Sequence, residues 1–215
     1  MQDFLTNWAL LAGVILLALA SPGPDFVMAV RNAMLHSRRA GLWTAAGFAL
    51  GVGVHITYTL AGLATVIAHS IVLFNVIKYA GATYLVYVGI KSLLSTGFTS
   101  DIQLSREEVC SLTDYRALRA GFLTNLLNPK ATIFFMAVFS QFISETTPFQ
   151  IQMIYAATCV GMTFLWFSGV TLFLTQPGIR AVFLSSSRWI DRVCGGFLVA
   201  LGIKLALSKG SALTS

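Results

Sequence analysis

The sequence predicts an all-α integral membrane protein: six transmembrane helices forming two inverted three-helix repeats, with helices 1 and 4 broken by proline. Three observations carry this: composition, the spacing of charge-free runs, and a likeness between the two halves. Of 215 residues, 56% are apolar and 10% charged, with a mean hydropathy of +0.78, whereas a soluble domain is roughly 25% charged. The net charge of +6 does not point to nucleic acid, because such binders gather basic residues on one soluble face and here the charges lie between long apolar runs. Cys110, Cys159 and Cys194 show neither CxxC spacing nor a paired framework, so they read as buried free thiols, with no metal and no cofactor implied.

A membrane helix needs about 20 apolar residues. Phe4 to Pro24 carries no charged residue and forms the first span. A cleaved signal peptide is the alternative, but Asp3 stands where a basic n-region belongs, so the helix is expected to be retained. Ala40 to Ile77 is long enough to end one helix and begin another around His69 and Ser70. The third span runs around Tyr79 to Leu94, the fourth around Ala120 to Ile143, the fifth within Thr146 to Ile179 and the sixth around Val193 to Leu207. Lys and Arg favour cytoplasmic loops. Ten of them, in three groups (Arg31, Arg38, Arg39; Lys91, Arg106, Arg116, Arg119; Arg180, Arg188, Arg192), fall on one side against Lys78, Lys204 and Lys209 on the other. Both termini are therefore expected to be extracytoplasmic.

Residues 1–215 read as a single transmembrane domain: a first repeat over 1–95, a polar cytoplasmic linker over 96–118 and a second repeat over 119–208. The segment from Tyr79 aligns without gaps on the one ending at Leu207, taking Gly89 onto Gly202, and Leu85, Val86, Gly89 and Ile90 have identical partners. With three helices per half, a true repeat must be inverted across the membrane, as in many secondary transporters.

Such proteins place polar ligands where paired helices are interrupted, because a break frees backbone groups. Ser21-Pro22-Gly23-Pro24-Asp25 interrupts helix 1 and Asn128-Pro129-Lys130 interrupts helix 4. The plain alternative is that these kinks only shape packing. Two breaks in corresponding helices, each beside a charge, favour a site, since ionisable groups near hydrocarbon face a partner or a wet cavity. Asp25 can cap the half-helix Phe26 to Met34, and it is the only acidic side chain expected clearly within the spans. Lys130, beside a positive helix end, calls for an anion: Asp25 itself or a ligand carboxylate. A zwitterionic amino acid would use Lys130 and helix N-termini for its carboxylate and Asp25 for its ammonium, with Asn125 and Asn128 bonding either group. Proton coupling needs a group that can exchange a proton near neutral pH, and the candidates are Asp25 and His55. A lone His in an apolar helix is otherwise a packed hydrogen bonder, with Tyr58 one turn away either as its partner or simply as core.

Other features read as structural. Gly47 and Gly51, extended by Gly41 and Gly53, permit close helix contact; they could serve internal or intersubunit packing, which leaves a homo-oligomer open. Trp8, Trp43, Trp166 and Trp189 lie near span ends, and Arg188-Trp-Ile-Asp191-Arg192 reads as a cytoplasmic surface anchor. No nucleotide loop, HExxH or Ser-His-Asp set is present, so ATP-driven transport and enzymatic activity are not expected.

At Ser21-Pro-Gly-Pro-Asp25, Gly81 to Gly89 and Gly121-Phe-Leu-Thr-Asn-Leu-Leu-Asn-Pro-Lys-Ala131, the chain resembles the LysE/RhtB amino-acid exporters over Met1 to Ser208. The SPGPD form and the Arg188-Trp-Ile-Asp191 segment look most like the threonine and homoserine branch. The resemblance implies a multi-pass protein of the bacterial inner membrane that exports a small neutral amino acid by proton antiport. Its partners would be that substrate, protons and lipid. The proton role of Asp25 is our own reading, since other branches vary after PGP. The rivals are divalent cation efflux, a lipid-modifying membrane enzyme and a non-transporting accessory protein. Cation efflux is disfavoured because a metal needs several ligands and Asp25 stands alone.

Overall fold

The computed structural model describes residues 2–21, 23–69, 71–95, 112–144 and 146–207. Among them regular structure is entirely helical: α1 (Gln2–Ala20), α2 (Pro24–Leu35), α3 (Arg38–His69), α4 (Ile71–Leu93), α5 (Asp114–Leu126), α6 (Pro129–Phe142), α7 (Phe149–Leu174) and α8 (Pro177–Leu207). The expected turn at His69 and Ser70 falls at the α3/α4 boundary.

Both expected breaks form, and local chemistry explains each. Pro24 and Pro129 stand at the start of α2 and α6, where a missing N–H costs nothing and a fixed φ suits the first turn. Gly23 precedes α2 in extended backbone, and the Asn128 side chain caps α6 by accepting from the Lys130 amide at 3.0 Å. The chain bends by 62° between α1 and α2 and by 60° between α5 and α6. Two helices, over Arg38–Gly62 and Phe149–Phe173, are long and apolar enough to cross a membrane, and up to four spans result if each bent pair counts as one.

Of the expected linker over 96–118, residues 96–111 lie outside the described residues; α5 begins at Asp114, where Thr113 caps it by accepting from the Arg116 amide. The helix that holds the expected last span is longer than that span: α8 starts at Pro177, and from its first half Phe183 stacks on Phe26 of α2 with ring centroids 5.0 Å apart.

Two charge placements differ from expectation. Lys78 lies in the second turn of α4 and is buried, not in a loop. Asp191 turns inward on α8 and accepts from the Ser95 hydroxyl at 2.7 Å, while its neighbour Trp189 stays exposed beneath Arg192. Asp25 is therefore not the sole interior carboxylate. Cys159 and Cys194 are buried free thiols as expected, and Cys110 falls outside the described residues.

The helices α4 and α8 pack antiparallel along a seam of small residues. A Cβ on Gly89 would lie 2.7 Å from the Gly195 carbonyl oxygen and 2.7 Å from Val199 Cγ2; one on Gly202 would lie 2.8 Å from the Ala82 oxygen and 2.8 Å from Val86 Cγ2. Under the alignment that takes Gly89 onto Gly202, Ala82 onto Gly195 and Val86 onto Val199, these two contact sets are the same set. Gly47 and Gly121 bring α3 and α5 equally close, since a Cβ on either would lie 2.2 Å from a backbone oxygen of the other helix. One apolar core joins Leu11 and Ile15 of α1 to Phe135 and Phe139 of α6 and Leu198 of α8, and a second joins Phe26 of α2 to Phe48 of α3 and Phe167 of α7.

Candidate functional site

The two breaks meet. Asn125, in the last turn of α5, donates from Nδ2 to Asp25 Oδ2 at 2.7 Å, so the polar ends of α2 and α5 touch in the interior. Lys130, in the first turn of α6, reaches back toward the first break, its Nζ 3.5 Å from Ser21 Oγ. Gly23 lies beside it: a Cβ there would stand 3.9 Å from that ammonium, an ordinary contact distance. Among the described residues the recorded ion pair is Arg39 with Asp114, joining α3 to α5, and Lys130 is not paired with a carboxylate.

These groups line a cavity of about 80 Å³ between the two apolar cores. A site holding one water needs roughly 10–15 Å³ on this measure, so the space suits several waters or one small solute. Its polar wall comprises Ser21, Asp25, Asn125, Asn128 and Lys130, with Gly23 and Pro24 completing the first break. Phe134, Phe135 and Phe167 belong to the apolar remainder. Of the residues expected at a site, Pro129 opens α6 without lining the cavity, and Pro22 lies outside the described residues. Asp25 Oδ1 and Asn125 Oδ1 are buried and lack a hydrogen-bond partner among the described residues. Buried polar atoms are rarely left unbonded; Asp25 and Asn125 line the same cavity as Lys130, and Asn125 Oδ1 lies against Gly51 of α3, where a Cβ would stand 2.6 Å from it.

His55, the other proton-coupling candidate, is fully buried but lies behind the cavity wall. Its Nδ1 meets the Tyr58 hydroxyl, and its Nε2 lies 2.9 Å from the Asn125 carbonyl oxygen. Three contributors were not legible beforehand. Tyr84 of α4 lines the cavity, Thr132 of α6 comes within 3.5 Å of His55 Nδ1, and Gly51 of α3 makes room for Asn125. Gly51 had a signal, as part of a small-residue pair, but the spacing does not say which side chain it accommodates.

The model of the LysE type translocator family matches residues 16–209. The "Threonine efflux protein" of Salmonella typhi is 31% identical over 198 residues, 92% of this chain and 96% of that protein. Its counterpart in Escherichia coli K12 is 30% identical over the same shares. The "Leucine efflux protein" of Salmonella choleraesuis is 34% identical over 144 residues, covering 67% of this chain and 66% of that protein. No solved structure matches.

Proposed function

Because the chain belongs to the LysE type translocator family and is, by that membership and its efflux relatives, a multi-pass amino-acid efflux transporter, we propose that it exports a small neutral amino acid, threonine- or homoserine-like, by alternating access coupled to proton antiport. The observation that carries this is the cavity at the meeting of the two breaks: Lys130 Nζ on one side, the Asp25 carboxylate with its Asn125 partner on the other.

The substrate carboxylate takes Lys130 and the capped start of α6, where helix N-termini favour anions. The ammonium takes the Asp25 carboxylate, which accepts and which Asn125 holds in place through its Nδ2. The side chain then lies on the apolar wall, whose limited volume selects against bulk. Asp25 carries the proton: protonated, it loses its attraction for the ammonium, so uptake of a proton from outside favours release there.

The fold reading is six spans in two inverted halves, 1–95 and 119–208, in the bacterial inner membrane with both termini outside. It is supported by the bends of 62° and 60° at corresponding prolines and by the self-matching contacts of the α4–α8 seam. The Arg-rich ends of the helices, such as Arg38 and Arg39 of α3, support taking that end as the cytoplasmic face. The halves rock about the site, exposing it to each side in turn.

The test is export from cells preloaded with a mixed amino-acid pool, read in the medium by mass spectrometry at matched membrane abundance. Wild type should release threonine, homoserine or a similar amino acid selectively. Asp25→Asn should abolish gradient-driven export, and Lys130→Ala should raise the concentration for half-maximal transport about tenfold or more, the scale of a lost charge-assisted bond. Normal gradient-driven export by Asp25→Asn removes the coupling assignment. Release of divalent cations and no amino acid replaces the reading with cation efflux.

A further inference from the structure

Resting on the cavity's reading as the substrate site, we infer that His55 is a positioning residue: its Nε2–H supplies the hydrogen bond that Pro129 cannot make to the Asn125 carbonyl, and so holds the Asn125 amide on Asp25. In an unbroken helix the Asn125 carbonyl oxygen would accept from the amide of residue 129. Proline has no such N–H, and the donors left to this oxygen by its own segment are the Asn128 amide, at 3.0 Å, and the Leu127 amide of the helix cap. The His55 ring adds a side-chain contact from α3 at 2.9 Å.

That contact fixes the tautomer by elimination. A carbonyl oxygen only accepts, so Nε2 must carry hydrogen, and Nδ1 is left to the hydroxyls of Tyr58 and Thr132. The ring is stacked on Phe135, with centroids 6.1 Å apart. The groups facing it are thus Tyr58 on its own helix, Asn125 on α5, and Thr132 and Phe135 on α6. Asp25 is the charged group within electrostatic range, reached through Asn125. Nothing in this arrangement hands a proton to the cavity, because His55 does not line it and its Nε2–H is engaged by backbone. His55 acts on the substrate through Asn125, and proton exchange stays with Asp25.

Gln and Phe substitutions separate the two roles. A Gln side chain can present an N–H close to the Nε2 position but cannot carry a proton near neutral pH; Phe keeps the ring and loses the donor. Purified protein in proteoliposomes is assayed for transport of radiolabelled L-threonine and L-leucine, with and without a pH gradient. His55→Phe should raise KM about tenfold, the scale of one lost buried hydrogen bond, with a smaller change in maximal rate. His55→Gln should stay within about threefold of wild type and keep its response to the gradient. If His55→Gln keeps substrate exchange but loses gradient-driven accumulation, His55 is a proton carrier and the inference is overturned; a wild-type KM in His55→Phe overturns it equally. A wild type that moves neither amino acid counts against the transport reading instead. In that event the imidazole 15N spectrum of histidine-labelled wild type decides the clamp. The resonance missing from His55→Gln should report the Nε2-protonated tautomer, and an Nδ1-protonated one refutes it.

Discussion

Asn125 can face Asp25 because residue 51 has no side chain. A Cβ on Gly51 would lie 2.6 Å from Asn125 Oδ1 and 3.0 Å from Asn125 Cβ, closer than carbon and oxygen pack. Gly51→Ala should therefore push the amide off its 2.7 Å bond to Asp25 while α3, rich in good helix formers, still forms. Overpacking of this kind costs about 1–3 kcal/mol, and much of it should appear at the site. The expected result is a KM several-fold above wild type with a small loss of thermal stability in detergent. A wild-type KM would mean that the amide has room to turn elsewhere and that its bond to Asp25 is dispensable. Asn125 is thus held twice from α3: in position by the space at Gly51, and through its carbonyl by His55.

Between elements, the α4–α8 seam makes a sharper demand. If the two helices are corresponding members of inverted halves, substitutions at Gly89 and Gly202 are the same experiment performed twice. Each Ala would drive a methyl group to about the same distance, 2.7 or 2.8 Å, from a carbonyl of the facing helix. Gly89→Ala and Gly202→Ala should each cost about 1–3 kcal/mol and match one another within about 0.5 kcal/mol, as measured by denaturant unfolding in detergent. A large disparity would count against the symmetry. How far such elements could be foreseen varies with the physics involved. The breaks were legible because Pro and Gly act on their own backbone, and so Asp25, Asn125, Asn128 and Lys130 could be named together. The inward turn of Asp191 was not, since a charge beside Arg188, Trp189 and Arg192 reads as surface until the rotation of α8 is known. Nor was the early start of α8, because its first half earns its place by packing, Phe183 on Phe26, and hydropathy registers only length in lipid. Tyr84 gives no local signal at all; only the packing of α4 brings it to the cavity.

For the molecule as a whole, the proposed rocking of the halves would break whatever bonds join them, and the side-chain ties are unevenly distributed. At the Arg-rich ends of the helices, Arg39 grips Asp114 through two nitrogens, Arg38 donates to Thr175 at 3.0 Å and Ser95 donates to Asp191 at 2.7 Å. At the opposite end, among the described residues, Trp8 donates to Thr158 at 3.0 Å. Each links a helix of α1–α4 to one of α5–α8. The exposed contacts among these, all but the part-buried Ser95–Asp191 bond, are worth only about 0–1 kcal/mol each, too little to set stability. A conformational equilibrium within a few kcal/mol of balance is another matter, because about 1.4 kcal/mol shifts it tenfold. Releasing the Arg-rich end with Arg38→Ala and Arg39→Ala together should therefore leave folding intact and bias the cavity toward the cytoplasm. A cysteine placed on the cavity wall at Ala18 reads this directly, in a background where Cys110, Cys159 and Cys194 are replaced by Ala. Its labelling by an impermeant thiol reagent should rise several-fold from the cytoplasmic side of oriented vesicles in the double variant and fall from the other side. Equal labelling in both proteins would mean that packing, as along the α4–α8 seam, sets the direction in which the site opens, and that the polar ties merely follow it.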